Sequence, residues 1–415
     1  MKTKAMYFIL ISLIIFIANI ATSAQEDRCR DFMLTDGSEQ LVDLGIDSTG
    51  NWWVLTAPFS FKYRITISDV EYDVLDSLTL PVFSHDGKNW AFFGYDVGSW
   101  KLFTRYEVIE FGSVTPGSII FSTITNLLVY SVYRGDIEYV NINGKEIQIM
   151  HRSGNLYISP WGDRFAFTAL RGMSHVVNIN GRDSDFFDDI IPAGFKENGE
   201  FVYAGRRGNG WRIYYNETEI STEFKDVLEI AVNPTGRTVG ALVLGFSSKY
   251  QGVMFSDEYR EPLYGMMYDK VWGLAVHPNL ALISYGATFN LANYVVFSTT
   301  EYNGGLSPGT PRFTHDGDVL YFIGCDMECF VNVNGRKYVI YGGLDPSYPI
   351  ALDTEGKAIA YGTSAHLSMV YLETGNTHAG IMVDYATRAI YNRNTNRFES
   401  LGVINNRVYL LTCKP

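Results

Sequence analysis

Chemistry in this chain would have to come from a small number of groups. Asp183, Asp185, Asp188 and Asp189 fall within the run GRDSDFFDDI. Carboxylates so close can share a divalent cation such as Ca²⁺, although the run lacks the glycine-spaced pattern of a dedicated calcium loop. His85 and His315 each precede an Asp-Gly pair, and His277 in Val276-His277-Pro278 falls close to the same place. The other histidines, at 151, 175, 366 and 378, have no metal-ligand spacing such as His-x3-His, so no metal site is expected. The chain has no Gly-x-Ser-x-Gly elbow and no phosphate-binding Gly-Lys-Ser/Thr loop. Neither a catalytic residue nor a cofactor is therefore assigned. Arg206 and Arg207, followed by Gly208-Asn209-Gly210, form a positive spot on an otherwise acidic chain. With Trp211 and Trp100 they are the candidate partner contacts. Trp52, Trp53, Trp161 and Trp272 could also line a face, but strand cores use aromatic rings heavily.

The elements that must position these groups are set by a repeat. VFSHDGKNWAFFG (82–94), YISPWGDRFAFTA (157–169), IAVNPTGRTVGAL (230–242), RFTHDGDVLYFIG (312–324) and ALDTEGKAIAYGT (351–363) share one plan. Each is an apolar run, a polar turn with Gly, and a second apolar run. The steps Gly50 to Gly87, Gly162 to Gly199 and Gly199 to Gly236 are 37 residues each. Between these lie VNINGKEIQI (140–149), VNINGRDSDFF and VNVNGRKYVI (331–340). Asn-Gly between alternating apolar residues marks a two-residue hairpin turn, whose central residues need positive φ. Weaker equivalents are Asn216-Glu217, Asp257-Glu258 and Thr374-Gly375. Each unit therefore reads as strand A, Gly turn, strand B, link, strand C, Asn-Gly turn, strand D. Four antiparallel strands per repeat of about 40 residues make a β-propeller blade. The A–B turns are expected at 50, 87, 125, 162, 199, 236, 279, 317, 356 and 405. About ten repeat units follow, giving 8–10 blades, with a single ring favoured.

The chain ends complement each other. FMLTDGSEQLVDL (32–44) reads as a C–D hairpin turning at Asp36-Gly37, and SLGVINNRVYLLTC (400–413) as an A–B pair that lacks its C–D half. Joining them in one blade would close the propeller and remove exposed strand edges. The four cysteines, an even count in a chain read as exported, support this closure. Cys325 ends a B strand and Cys329 opens the next C strand, while Cys413 ends the last B strand and Cys29 precedes the first C strand. Both pairs thus read as B–C junctions, and Cys325–Cys329 and Cys29–Cys413 are the expected disulfides.

Phe83-Ser84-His85-Asp86-Gly87-Lys88 with Ala91-Phe92 resembles the repeat of the TolB-type β-propellers, with His where that family has Pro. Ser159-Pro160-Trp161-Gly162 with Ala166-Phe167 is similar, and the runs at Phe313–Gly317 and Asp353–Lys357 are looser copies. The resemblance covers most of the chain and concerns fold. It implies that the motif residues are structural and that the protein binds a partner or accompanies another activity. The alternative is a carbohydrate-active propeller, a sialidase-like glycosidase or lyase. Ser84–Trp90 partly resembles the Asp-box of that class, but Asp86 and Gly87 are adjacent where the box has an intervening residue. Such an enzyme would also need converging arginines and a Tyr–Glu pair.

The 415 residues are 47% hydrophobic, 15% aromatic and only 19% charged, which excludes a disordered chain. A net charge of −12 gives no general attraction to nucleic acid or anionic lipid. Lys2 and Lys4 precede an apolar run over 5–20, and Thr22-Ser23-Ala24 follows, the layout of a secretory signal cleaved after Ala24. Residues 25–415 are then one exported propeller domain, periplasmic or extracellular. It is expected to be monomeric and without a membrane span, and to bind a protein or glycan partner.

Overall fold

A computed structural model describes residues 29–415 except 73, 113, 150–151, 260, 341–349 and 363–366. The export signal expected over 1–24 lies outside these residues. Among the described residues the regular elements are strands, and they form ten antiparallel sheets. In blade 3, strands A to D are Thr115–Phe121, Leu128–Arg134, Ile137–Ile142 and Lys145–Ile149, paired in that order. The other sheets repeat the plan, with strand A of blades 2 and 10 split in two. The protein is a ten-bladed β-propeller. Blades 2 to 8 lie in one compact unit, Phe59–Arg64 with Tyr72–Ser347. Blades 9, 10 and most of blade 1 lie in a second unit, Met1–Pro58, Ile65–Glu71 and Tyr348–Pro415.

The A–B turn is closed by a buried polar side chain three residues before its glycine. Ser84, Ser159, Asn233, Thr314 and Asp353 hold this place and are all buried. Ser159 Oγ accepts the Asp163 and Arg164 amides at 3.2 and 3.1 Å and donates to Asp163 Oδ1 at 2.7 Å. Asn233 Oδ1 accepts the Arg237 and Thr238 amides, and Asp353 Oδ1 the Lys357 and Ala358 amides. An amide left without a partner away from water costs about 1–3 kcal/mol, so an acceptor at this place stabilises these turns. The following glycines, such as Gly162 at φ 75°, take the left-handed conformation that a side chain disfavours.

Both asparagines of Asn-x-Asn-Gly have a task at the C–D turn. The first, Asn178, is buried and accepts the Gly181 amide at 2.9 Å. The second, Asn180, sits at φ 52°. Its amide donates to the Phe165 carbonyl, while its Oδ1 accepts the Phe165 amide at 2.9 Å. Asn216 holds Phe201 and Asn334 holds Leu320 in the same way. The side chain thereby extends the B–C pairing where the backbone turns away.

The core lies between sheet faces. Val202, Ala204, Trp211 and Ile213 of blade 5 pack on Val227, Val239, Ala241 and Val253 of blade 6. Burying a side chain such as Val or Ile contributes roughly 1.5–3 kcal/mol.

The chain ends do meet in one blade, but in a different register from that expected. Arg397–Ile404 and Arg407–Cys413 are strands B and C of blade 10, and strand A precedes them as Tyr385–Ala386 and Ile390–Asn392. The N-terminal contribution is strand D alone, Cys29–Met33, paired from Cys29–Cys413 to Met33–Tyr409. Gln40–Ile46 leaves this sheet to become strand A of blade 1. Asn405-Asn406 is therefore a B–C turn, and Asp36-Gly37 a link between blades. The cause is Asn392, the true turn-closing residue of blade 10. It is buried, accepts the Asn394 amide and bonds Glu399. Asn406 secures the link, donating to the Glu39 carbonyl at 2.7 Å and accepting the Leu41 amide. Cys29 and Cys413 form a disulfide between strands C and D, whereas Cys325 and Cys329 form one across a B–C hairpin. The two pairs do not occupy the same place in the blade.

Candidate functional site

The acidic run and the basic pair, separate in sequence, are one surface. Strand B of blade 5 ends in Arg206 and Arg207, and its strand A begins at Asp189, so pairing sets Asp189 opposite Arg206. Arg206 reaches Asp189 at 4.0 Å, and Arg207 reaches Asp185 at 2.9 Å while lying over the Phe187 ring at 4.4 Å. Asp188 accepts the Gly208 amide at 2.6 Å. Asp183 turns away to Arg171 at 2.8 Å and to Asn178. Each carboxylate is thus directed at a different partner. Among the described residues, no group of three His, Cys, Asp or Glu side chains converges as a metal site would require. The positive spot is correspondingly neutralised. Exposed pairs of this kind contribute about 0–1 kcal/mol, so the surface is mixed in charge rather than attractive to anions.

Trp211 does not face outward. It is 6% exposed within the core shared by blades 5 and 6, because its strand position points to the packed face. Trp100 is half-buried against Tyr95, at 5.3 Å between rings. Trp52 and Trp53 are also core residues. Trp161 is the exposed one, at 50%, with Nε1 donating to the Glu197 carbonyl of the next blade. It occupies an A–B turn, where the ring can reach solvent.

Of the histidines, His85 and His315 hold equivalent turn places in blades 2 and 8, the first and last blades of their compact unit. Their rings meet edge to face at 5.7 Å. Two imidazoles are fewer ligands than a zinc site needs. His277 is not their equivalent. It stands one place earlier, at the turn-closing position, and its Nδ1 accepts the Asn279 and Leu280 amides at 3.1 and 2.9 Å. Burial holds its imidazole below the ordinary histidine range. His151 and His366 lie outside the described residues.

Two cavities accompany these surfaces. A polar cleft of about 510 Å³ lies between blades 9 and 10, lined by Asp353, Glu355, Lys357, Tyr371 and Tyr391 among others. Within it Lys357 pairs with Glu355 at 2.5 Å, and Asp353 is held by its own turn. A second cavity, of about 330 Å³, lies between blades 6 and 7 and is mostly apolar. Its walls include Met254, Leu263, Tyr264, Met266, Leu282 and Val296. Tyr268 and Tyr285 meet edge to face at 6.1 Å beneath it. Sequence reasoning missed this cavity, because its lining is drawn from two repeats that each read as ordinary strands. It also missed Lys196, buried at the turn-closing place of blade 5. Lys196 cannot accept amides and instead binds Asp257 of blade 6 at 2.5 Å.

No family model matches the chain, and no curated protein matches it. Solved structures that are similar in fold include a eukaryotic initiation factor (11% identity, 79% of this chain and 93% of that one, TM-score 0.46). The Dos1 propeller matches at 10% identity over 93% and 94%, with TM-score 0.37. The Cps50 (Swd1) β-propeller domain of Myceliophteria thermophila matches at 12% over 64% and 97%, with TM-score 0.30. Likeness at this level carries no information about partners. Among the described residues, no helix is long and apolar enough to cross a membrane.

Proposed function

We propose that this protein is an exported, non-enzymatic propeller of TolB-like character that binds a protein or glycan partner through its loops and blade edges. One observation carries the reading. Most of the polar side chains that stood out as candidate chemistry are engaged by other groups of the fold. His277 and Asp353 cap turns, Asp183 pairs with Arg171, and Asp185 with Arg207. Two disulfides are in keeping with an oxidising compartment. The fold then supplies a rigid frame on which exposed groups such as Trp161 are displayed. The test is affinity capture from the native secreted or envelope fraction, run beside turnover assays on glycan substrates. Reproducible enrichment of one partner, displaced by excess untagged protein, is the expected result. A clean preparation that enriches nothing and cleaves glycans would overturn the reading.

A further inference from the structure

Among the described residues, strand D is an edge of every sheet and pairs with strand C alone. An unpaired edge invites another strand, and proteins commonly guard edges with charge. Eight of the ten edges here are guarded in that way. Val70–Glu71, Val108–Glu110, Lys145–Ile149, Arg182–Asp183, Thr218–Glu219, Thr300–Asn303, Arg336–Val339 and Cys29–Met33 each contain Asp, Glu, Lys or Arg. The edge of blade 9, Thr377–Ala379, has no such charge but presents only small and polar groups and a histidine. Blade 6 differs. Its edge is Leu263–Tyr264, two large apolar residues that are 45% and 46% exposed, followed by the exposed Met266 and Met267. The same two edge residues, with Met266, form one wall of the 330 Å³ cavity. A cavity of that size is at the lower end of ligand pockets and takes one bulky group. Methionine walls adapt to the shape of what enters.

We propose that the edge of blade 6 is a docking site for an extended peptide of a partner protein. The peptide pairs with Leu263–Tyr264 as an added strand and places one bulky apolar side chain in the cavity. Charge decides the flanking residues of that peptide. Glu258 and Glu261, in the hairpin leading to the edge, and Glu301, which accepts the Tyr268 hydroxyl at 2.6 Å, are exposed around the site. The partner segment is therefore basic on either side of its apolar anchor. A second copy of this chain is disfavoured as occupant, since each copy carries a net charge of −12. The inference rests on the binding role proposed above and names its site.

The probe is a pooled library of heptapeptides, each with Lys at both ends, a central Phe, Leu, Ile or Met, and mixed Thr and Val between. It is compared with Glu-ended and Ser-centred pools by fluorescence anisotropy against the chain without its first 24 residues. Methyl-labelled methionine spectra report the place of binding. The expected result is saturable binding of the Lys-ended apolar pool alone, with Met254 and Met266 signals shifted. Leu263→Lys, which restores to this edge the guard found on other blades at a position already exposed, should weaken it at least about tenfold. Absent binding, equal binding of the Glu-ended pool, or binding unaffected by Leu263→Lys and by Met266→Lys would overturn the site. If the peptide test fails while Leu263→Lys still captures the wild-type partner, this site falls and the binding role stands. If the peptide test fails and the preparation captures nothing but cleaves glycans, both fall.

Discussion

Replacing Cys29 and Cys413 by alanine tests the closure of blade 10 quantitatively. The bond spans 384 residues of sequence, whereas Cys325–Cys329 spans 4. In the chain-entropy account a cross-link stabilises by limiting the unfolded chain, through a term in the logarithm of loop length. That gives about 6 kcal/mol for the long loop and about 2 kcal/mol for the short one. An unfolding entropy near 2.1 cal/mol/K per residue over this chain amounts to roughly 0.8 kcal/mol/K. The double alanine variant at 29 and 413 should therefore lose about 7 °C in Tm, and the one at 325 and 329 about 2–3 °C. Alanine is preferred to serine because Cys413 is buried, and a hydroxyl there would add its own cost. The strand itself gives a second reading. Among the described residues the strand Arg30 to Met33 pairs with Thr412 to Tyr409 on one side, so without the bond its amides should exchange far faster while the amides that join strands B and C stay protected. Calorimetry on both variants, with hydrogen exchange, decides the matter. Equal losses in Tm, or a loss below about 2 °C at 29 and 413 with Arg30 to Met33 still protected, would refute the entropic reasoning.

Other consequences are more local. Ser159→Ala removes the acceptor for two part-buried amides and should cost about 1 kcal/mol in urea unfolding, with Ser159→Asn, the type used at Asn233, recovering part of it. Asn180→Gly keeps the positive φ but loses the bond to the Phe165 amide, and should cost about 1 kcal/mol. Asn180→Ala should cost more, because it also strains the turn. His277 has a folded pKa below its unfolded value, so the unfolded state binds more protons at mildly acid pH. Its contribution is whole above about pH 6.5 and declines as pH falls from there through the lowered folded value. A Tm–pH series should show that decline shrink in His277→Asn.

Much of the fold was legible because its signals are short-range. A polar turn with glycine, Asn-Gly between alternating apolar residues and a period of 37 residues all lie within one blade. Positive φ at Gly162 and Asn180 is a local demand, and local residues meet it. The pairing of Cys29 with Cys413 was also within reach, since four cysteines allow few partnerships. Tertiary structure decided what depends on distant segments. Strand identity in blade 10 turned on Asn392, whose role appears only once its amide partner is in place. Asp185 and Arg207 looked like separate candidates until strand pairing set them together, and Trp211 looked available until blade packing covered it. The cavity between blades 6 and 7 belongs to neither blade alone. Sequence order specifies which hairpins form, because each closes over a few residues. Which faces are covered and which edges stay open depends on contacts between hairpins, and these emerge only when the blades pack.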